Sequence, residues 1–299
     1  KNHKSSQRNA TNHKTPPGKP SHAIVLSTAS DNGSPNADGR TNVTNPTVRI
    51  SLAGTNAAAG DTAELLLGGA SLGTPVRLVL SGTDISNGYV DMSVSSGDLG
   101  ADGSKVLTAK ITDVAGNIGT AGGSLTVTLD TTAPGMPAQA IVLANSSDSG
   151  SSDIDRVTNV LNPLIRINLT GSNAVSGDTL EVLLNGSSFG TPLSATLSNT
   201  NIANGFIDLT VVSGSLGADG TKVLTVRVID AAGNAGTAGG TMTLTLDTTL
   251  PGTPSNPIVL ANASDSGSSN ADGITNISNP TVRVSLAGTN AVSGDTLEL

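Results

Sequence analysis

Twenty of the 23 acidic residues in this 299-residue chain are aspartates, and they fall in Gly-, Asn- and Ser-rich stretches rather than in apolar runs. Carboxylates on turns supply oxygens for a hard cation readily, whereas a general acid needs a buried, desolvated setting to keep its proton. Other chemistries fall by subtraction. His3, His13 and His22 all lie in the first 22 residues, and cysteine is absent. No Ser-His or Cys-His pair and no imidazole or thiolate zinc site can form in the body of the chain. The expectation is a protein that is not an enzyme, with aspartates that either shape turns or coordinate a metal.

The candidate ligands recur with a fixed period. Asp31, Asp38, Asp113 and Asp130 return as Asp148, Asp155, Asp230 and Asp247, each 117 residues on, and Asp61 returns as Asp178 and Asp295. Pro17, Pro134 and Pro251 keep the same spacing, and residues 51–130 match 168–247 at 47 of 80 positions. Such self-similarity marks a tandem array. It divides the chain into an unmatched tail at 1–16, read as disordered or foreign, then repeats at 17–133 and 134–250 and a truncated third at 251–299. The joints, Asp130-Thr131-Thr132-Ala133-Pro134 and Asp247-Thr248-Thr249-Leu250-Pro251, are short and stiffened by proline.

Elements that could position these aspartates follow from periodicity. In the first repeat, apolar residues alternate with polar ones over 22–27, 47–53, 63–67, 75–80, 89–94, 105–112 and 124–129, bounded by turn signals such as Asn87-Gly88 and Ala115-Gly116-Asn117. No window carries a helical period. Seven short strands of this kind predict tandem all-β domains, each a seven-stranded antiparallel β-sandwich of immunoglobulin type. Tyr89 and Phe206 occupy equivalent positions and read as core filling.

That topology assigns the aspartates to poles. Asp31, Asn36, Asp38, Asp102 and Asp130 fall at the far pole of a repeat, and Asp61 and Asp113 at the near pole. Stacking through a short joint brings Asp130, Asp31 and Asp38 against Asp178 and Asp230. Carboxylates ~4 Å apart repel by about 4 kcal/mol at an effective dielectric near 20, and calcium, which takes six to eight oxygens, would turn that repulsion into coordination. Asp130 and Asp113, with Asp247 and Asp230, lead the ligand reading. Asp31 and Asp38, with Asp148 and Asp155, stand between ligand and Asx turn, whereas Asp61 and Asp102 read first as turn residues.

Composition excludes several partners. Residues 1–20 carry five cations and no acid, so the rest sets ten cations against 23 acids, a charge of −13. An acidic body with one Tyr, two Phe and no Trp offers nucleic acid neither a positive field nor stacking platforms. No apolar run is long enough to span a membrane, and none resembles a signal peptide.

Three stretches carry a resemblance. They are Ser147-Asp148-Ser149-Gly150 with Asp155, Thr158-Asn159 and Asn162-Pro163; Ala101-Asp102-Gly103 through Thr112-Asp113 to Ala115-Gly116-Asn117; and the Asp-Thr-Thr-x-Pro joint. Together they resemble the tandem bacterial Ig-like domains of large surface adhesins of the biofilm-associated and RTX types. The resemblance implies a secreted, cell-surface stalk of many sandwiches, often rigidified by calcium. Its partners would be neighbouring repeats, with host or biofilm-matrix surfaces reached through other parts of the protein. Two rival readings stand beside it: a glycan- or protein-binding module, and an accessory domain of a secreted carbohydrate-active enzyme.

Overall fold

A computed structural model describes residues 15–299 apart from Ala23, Ser34, Asn36, Ala140 and Ser151. The expectations placed on residues 1–14 and on Asn36 lie outside the described residues. The first repeat runs β1 (Val25–Leu26), β2 (Arg40–Thr41), β3 (Thr47–Ser51), β4 (Thr62–Leu67), β5 (Ala70–Ser71), β6 (Arg77–Val79), α1 (Gly82–Asn87), β7 (Tyr89–Ser93), β8 (Gly103–Thr112) and β9 (Gly122–Leu129). One sheet has the order β1-β3-β7. The other has β2-β9-β8-β4-β5, with β6 also on β4.

Alternation does what the sequence requires of it. On β3, Val48 and Ile50 turn inward and Arg49 outward, and on β8 the inward set is Leu107, Ala109 and Ile111. These residues join Leu65, Leu80, Val90 and Val127 in one aliphatic core between the sheets. Burying each such side chain contributes about 1.5–3 kcal/mol. The second repeat rebuilds the sandwich from β10 (Val142–Leu143), β11 (Val157–Thr158), β12 (Leu164–Asn168), β13 (Thr179–Leu184), β14 (Ser187–Thr196), α2 (Asn199–Asn204), β15 (Phe206–Thr210), β16 (Gly220–Ile229) and β17 (Gly239–Leu246). Its core gains Phe189 where the first repeat has Leu72. Residues 251–299 hold β18 (Val259–Leu260) and β19 (Val282–Arg283). Register is kept through all three: Val25 faces Arg49, Val142 faces Arg166, and Val259 faces Arg283.

Three features depart from the sequence expectation. The pairings β2–β9 and β11–β17 are parallel, so the sandwich is not wholly antiparallel. The chain leaves its first loop running beside the last strand and in the same direction, with Thr128 N–H donating to Gly39 O and Asp130 N–H to Thr41 O. α1 and α2 are helices where no helical period was seen. At six residues each they are too short to show one, and their signal is a capping box. Ser81 and Asp84 cap each other reciprocally, as do Ser198 and Asn201, while Gly88 and Gly205 close the C-termini in the left-handed region. Tyr89 and Phe206 are not core. They open β7 and β15 on the outward register, opposite Ser51 and Asn168, and lie half-buried beneath Arg49 and Arg166, whose guanidinium carbons stand 3.8 and 3.9 Å from the ring centroids. Each arginine also grips Asp91 or Asp208 through two hydrogen bonds.

Candidate metal centre at the repeat joint

The near pole of the second repeat supplies two aspartates through its loops. Asp178 stands just before β13 and Asp230 just after β16. Asp178 is only 3% exposed, and its Oδ2 accepts from Val175 N–H at 2.9 Å. Burial first, then the neighbouring Asp230 and Asp130 carboxylates, push its pKa above the ordinary carboxylate value despite that hydrogen bond. Asp230 organises the Ala-Gly-Asn turn. Its Oδ1 accepts from the N–H groups of Ala232 and Asn234, both at 2.9 Å, and its Oδ2 from Asn234 Nδ2 at 2.8 Å.

The far pole of the first repeat closes on these loops. Asp130 follows β9, and its Oδ1 accepts from Thr132 N–H at 3.1 Å. Asp38 precedes β2, accepting from Arg40 N–H at 2.9 Å. Asp38, Asp130, Asp178 and Asp230 line a single cleft of about 470 Å3 together with Pro134. Asn234 Nδ2 also donates across the joint to Asp130 O at 2.8 Å. Gly33, at φ +110°, brings backbone against backbone, since a Cβ there would stand 2.1 Å from Ala231 O. Asn234 and Gly33 were missed in the sequence, where one reads as a turn residue and the other as loop glycine.

Asp31 lies at the same pole, 7% exposed, and its Oδ1 has no hydrogen-bond partner among the described residues. Asp148 repeats this at 7% exposure and Asp265 at 8%, each with an orphaned Oδ1. The other oxygen of Asp148 accepts from Arg156 N–H at 3.0 Å, and that of Asp265 from Gly273 N–H at 3.2 Å. A buried carboxylate oxygen without a donor costs free energy unless a cation meets it. Asp155 shapes its loop through Val157 N–H. Asp247 accepts from Thr249 N–H at 3.0 Å and lines a second cleft with Ser149, Thr158 and Asp295.

At the near pole of the first repeat, Asp113 accepts from Ala115 N–H, Asn117 N–H and Asn117 Nδ2, as its counterpart Asp230 does. Asp61 is 2% exposed, with Oδ2 accepting from Ala58 N–H and Oδ1 orphaned. Among the described residues no three acidic or imidazole side chains stand close enough to hold a metal as they are placed. The donor set fits a hard cation in kind, with four carboxylates on one cleft. The arrangement is an open cleft rather than a closed cage.

Fold and joint together define an array of immunoglobulin-like sandwiches joined pole to pole through short linkers. The chain belongs to the bacterial Ig-like domain family, whose profile matches residues 19–131 and again 135–248. No curated protein matches the sequence significantly. Among solved structures it is similar to a Ca2+-stabilized adhesin of an Antarctic bacterium, at 20% identity and a TM-score of 0.37 over 81% of this chain and 52% of that one. A 1.5-MDa bacterial ice-binding adhesin matches at 25% identity and 0.34, over 76% and 64%. Three fibronectin domains of chicken CNTN1 match at 11% and 0.45, over 78% and 65%. The chain thus spans between half and two thirds of each of these structures.

Proposed function

We propose that this chain is a stalk segment of a bacterial cell-surface adhesin, in which each Ig-like repeat is a spacer and calcium at the joints holds successive repeats in line. The repeats are drawn at 17–133 and 134–250, with 251–299 belonging to a third. Direct partners are neighbouring repeats, and contact with a host or matrix surface falls to other parts of the protein. The observation that carries this reading is the joint, where Asp130 of one repeat shares a cleft with Asp178 and Asp230 of the next. After burial, the Asp230 and Asp130 carboxylates add to the raised pKa of Asp178, and a cation would offset their share. Asp130, Asp178 and Asp230 would hold the ion by closing in from their present positions, with Asp38 on the same cleft and Asp31 at the same pole. Asp247 and Asp148, with Asp155 beside them, would serve the following joint, and Asp113 a joint on the other side of the first repeat. A bound calcium ion would supply charge neutralisation and a multidentate link; the Pro-bounded linker and the Asn234 bridge supply direction.

Calcium titrated calorimetrically into the chelator-stripped chain tests this. The expected result is saturable binding that Asp130→Ala and Asp178→Asn each weaken. An absence of binding up to millimolar calcium would leave a spacer held by protein contacts alone.

A further inference from the structure

Asp102, read from sequence first as a turn residue, and Asp219, its counterpart 117 residues on, hold the linkers. Asp102 Oδ2 accepts from Thr131 N–H at 3.0 Å and from Thr132 Oγ1 at 2.9 Å, while Oδ1 accepts from Thr131 Oγ1 at 2.9 Å. Asp219 repeats the arrangement with the hydroxyls of Thr248 at 2.8 Å and Thr249 at 2.7 Å. On the other side of the linker the chain is fastened to the next repeat. Gly135 N–H donates to Ser172 O at 2.8 Å and Ala138 N–H to Thr170 O at 3.0 Å, and Gly252 N–H donates likewise to Thr289 O at 2.7 Å. Between the two anchorages of the first joint lie Ala133 and Pro134, and between those of the second lie Leu250 and Pro251.

We infer that Asp102 and Asp219 are positioning residues that clamp the paired linker threonines and so fix the direction in which each repeat hands the chain to the next, with or without a cation. The inference rests on the stalk reading for its purpose, since only an array that must stay extended needs a fixed exit direction. Three acceptor contacts to one carboxylate restrain both torsions of Thr131 and the position of Thr132. Bending is then confined to a two-residue hinge in which Pro134 already fixes φ. Losing the clamp lengthens the hinge from two residues to four, and the spread of a flexible linker grows as the square root of its length, about 1.4-fold.

The chain has no cysteine, so Thr83→Cys and Thr200→Cys, on the exposed faces of α1 and α2, place one spin label in each repeat. Pulsed electron spin resonance then reads the distribution of inter-repeat distances. In chelator, Asp102→Ala should broaden that distribution by about 1.4-fold. Asp102→Asn, which keeps an acceptor oxygen, should restore part of the loss. Thr131→Val with Thr132→Val, which alters exposed residues beyond the last strand of the repeat and no core position, should broaden it too. Widths equal to the parent for both Asp102→Ala and the double threonine variant would overturn the clamp. If calcium fails to narrow the parent distribution, the metal reading fails while the clamp result stands on the chelator data.

Discussion

Glu64 faces outward from β4 yet is only 4% exposed, because its neighbours close over it. Its Oε1 accepts from Ser71 Oγ and from Arg77 Nη2 at 3.1 Å, and Lys110 Nζ stands 3.2 Å from Oε2. Burial alone would raise the pKa of the carboxyl. The three donors outweigh it and bring the value from 4.5 down to about 2. That difference, about 2.5 pKa units at ~1.4 kcal/mol each, corresponds to about 3 kcal/mol in favour of the folded, charged form. Because the folded-state value is the lower one, the contribution is complete above the ordinary glutamate range and is lost as pH falls through about 2. Glu64→Gln keeps the volume and the Ser71 partner but removes the charge. Arg77 and Lys110 rehydrate in part, at 56% and 25% side-chain exposure, so about 3 kcal/mol is an upper bound. For a unit of this size that lowers a melting midpoint by about 10 °C. Differential scanning calorimetry of the whole chain at pH 7 should show one transition lowered by up to this amount, and the gap between parent and variant should close between pH 5 and pH 2. A midpoint within about 2 °C of the parent at pH 7, or a gap independent of pH, would refute the buried ion-pair account.

Three further outcomes follow from the geometry. Asp178 has its pKa raised, first by burial and then by Asp230 and Asp130, so its charged form opposes the folded, assembled state at neutral pH and protonation on acidification relieves that cost; Asp178→Asn should therefore raise the melting midpoint in chelator and remove any gain from calcium. Gly33→Ala places a methyl 2.1 Å from Ala231 O at a left-handed φ, and should widen the inter-repeat distance distribution in spin-label measurements while each repeat keeps its strand circular dichroism. Arg166→Ala removes an exposed pair with Asp208 and a stack on Phe206, and should lower the melting midpoint only slightly, far less than Glu64→Gln does.

The sandwich was legible because its core is built from aliphatic residues at period two, as in Thr47–Ser51 with Val48 and Ile50 inward. β2 escaped notice because Arg40–Thr41 has neither length nor alternation, and its pairing depends on where the chain returns from the first loop. Tyr89 misled because aromatic residues are usually buried, yet the outward register of β7 and the guanidinium of Arg49 provide a half-buried seat on the surface. At the joint, the 117-residue period and the assignment of loops to poles were enough to bring Asp130 to Asp178 and Asp230. Asn234 and Gly33 could not be found that way. One acts through a single amide bridging to a backbone carbonyl, and the other through the side chain it lacks.

Small-angle X-ray scattering of the full chain, in calcium and in chelator, tests the joint most directly. A ligand that binds only the assembled joint stabilises it by about 2.7 kcal/mol at a hundredfold excess over the dissociation constant, which raises the ratio of closed to open joints about a hundredfold. The maximum dimension should therefore be longer in calcium than in chelator, and Asp130→Ala should make the two profiles coincide. Superimposable parent profiles in calcium and in chelator, with equal melting midpoints, would contradict a calcium-held joint.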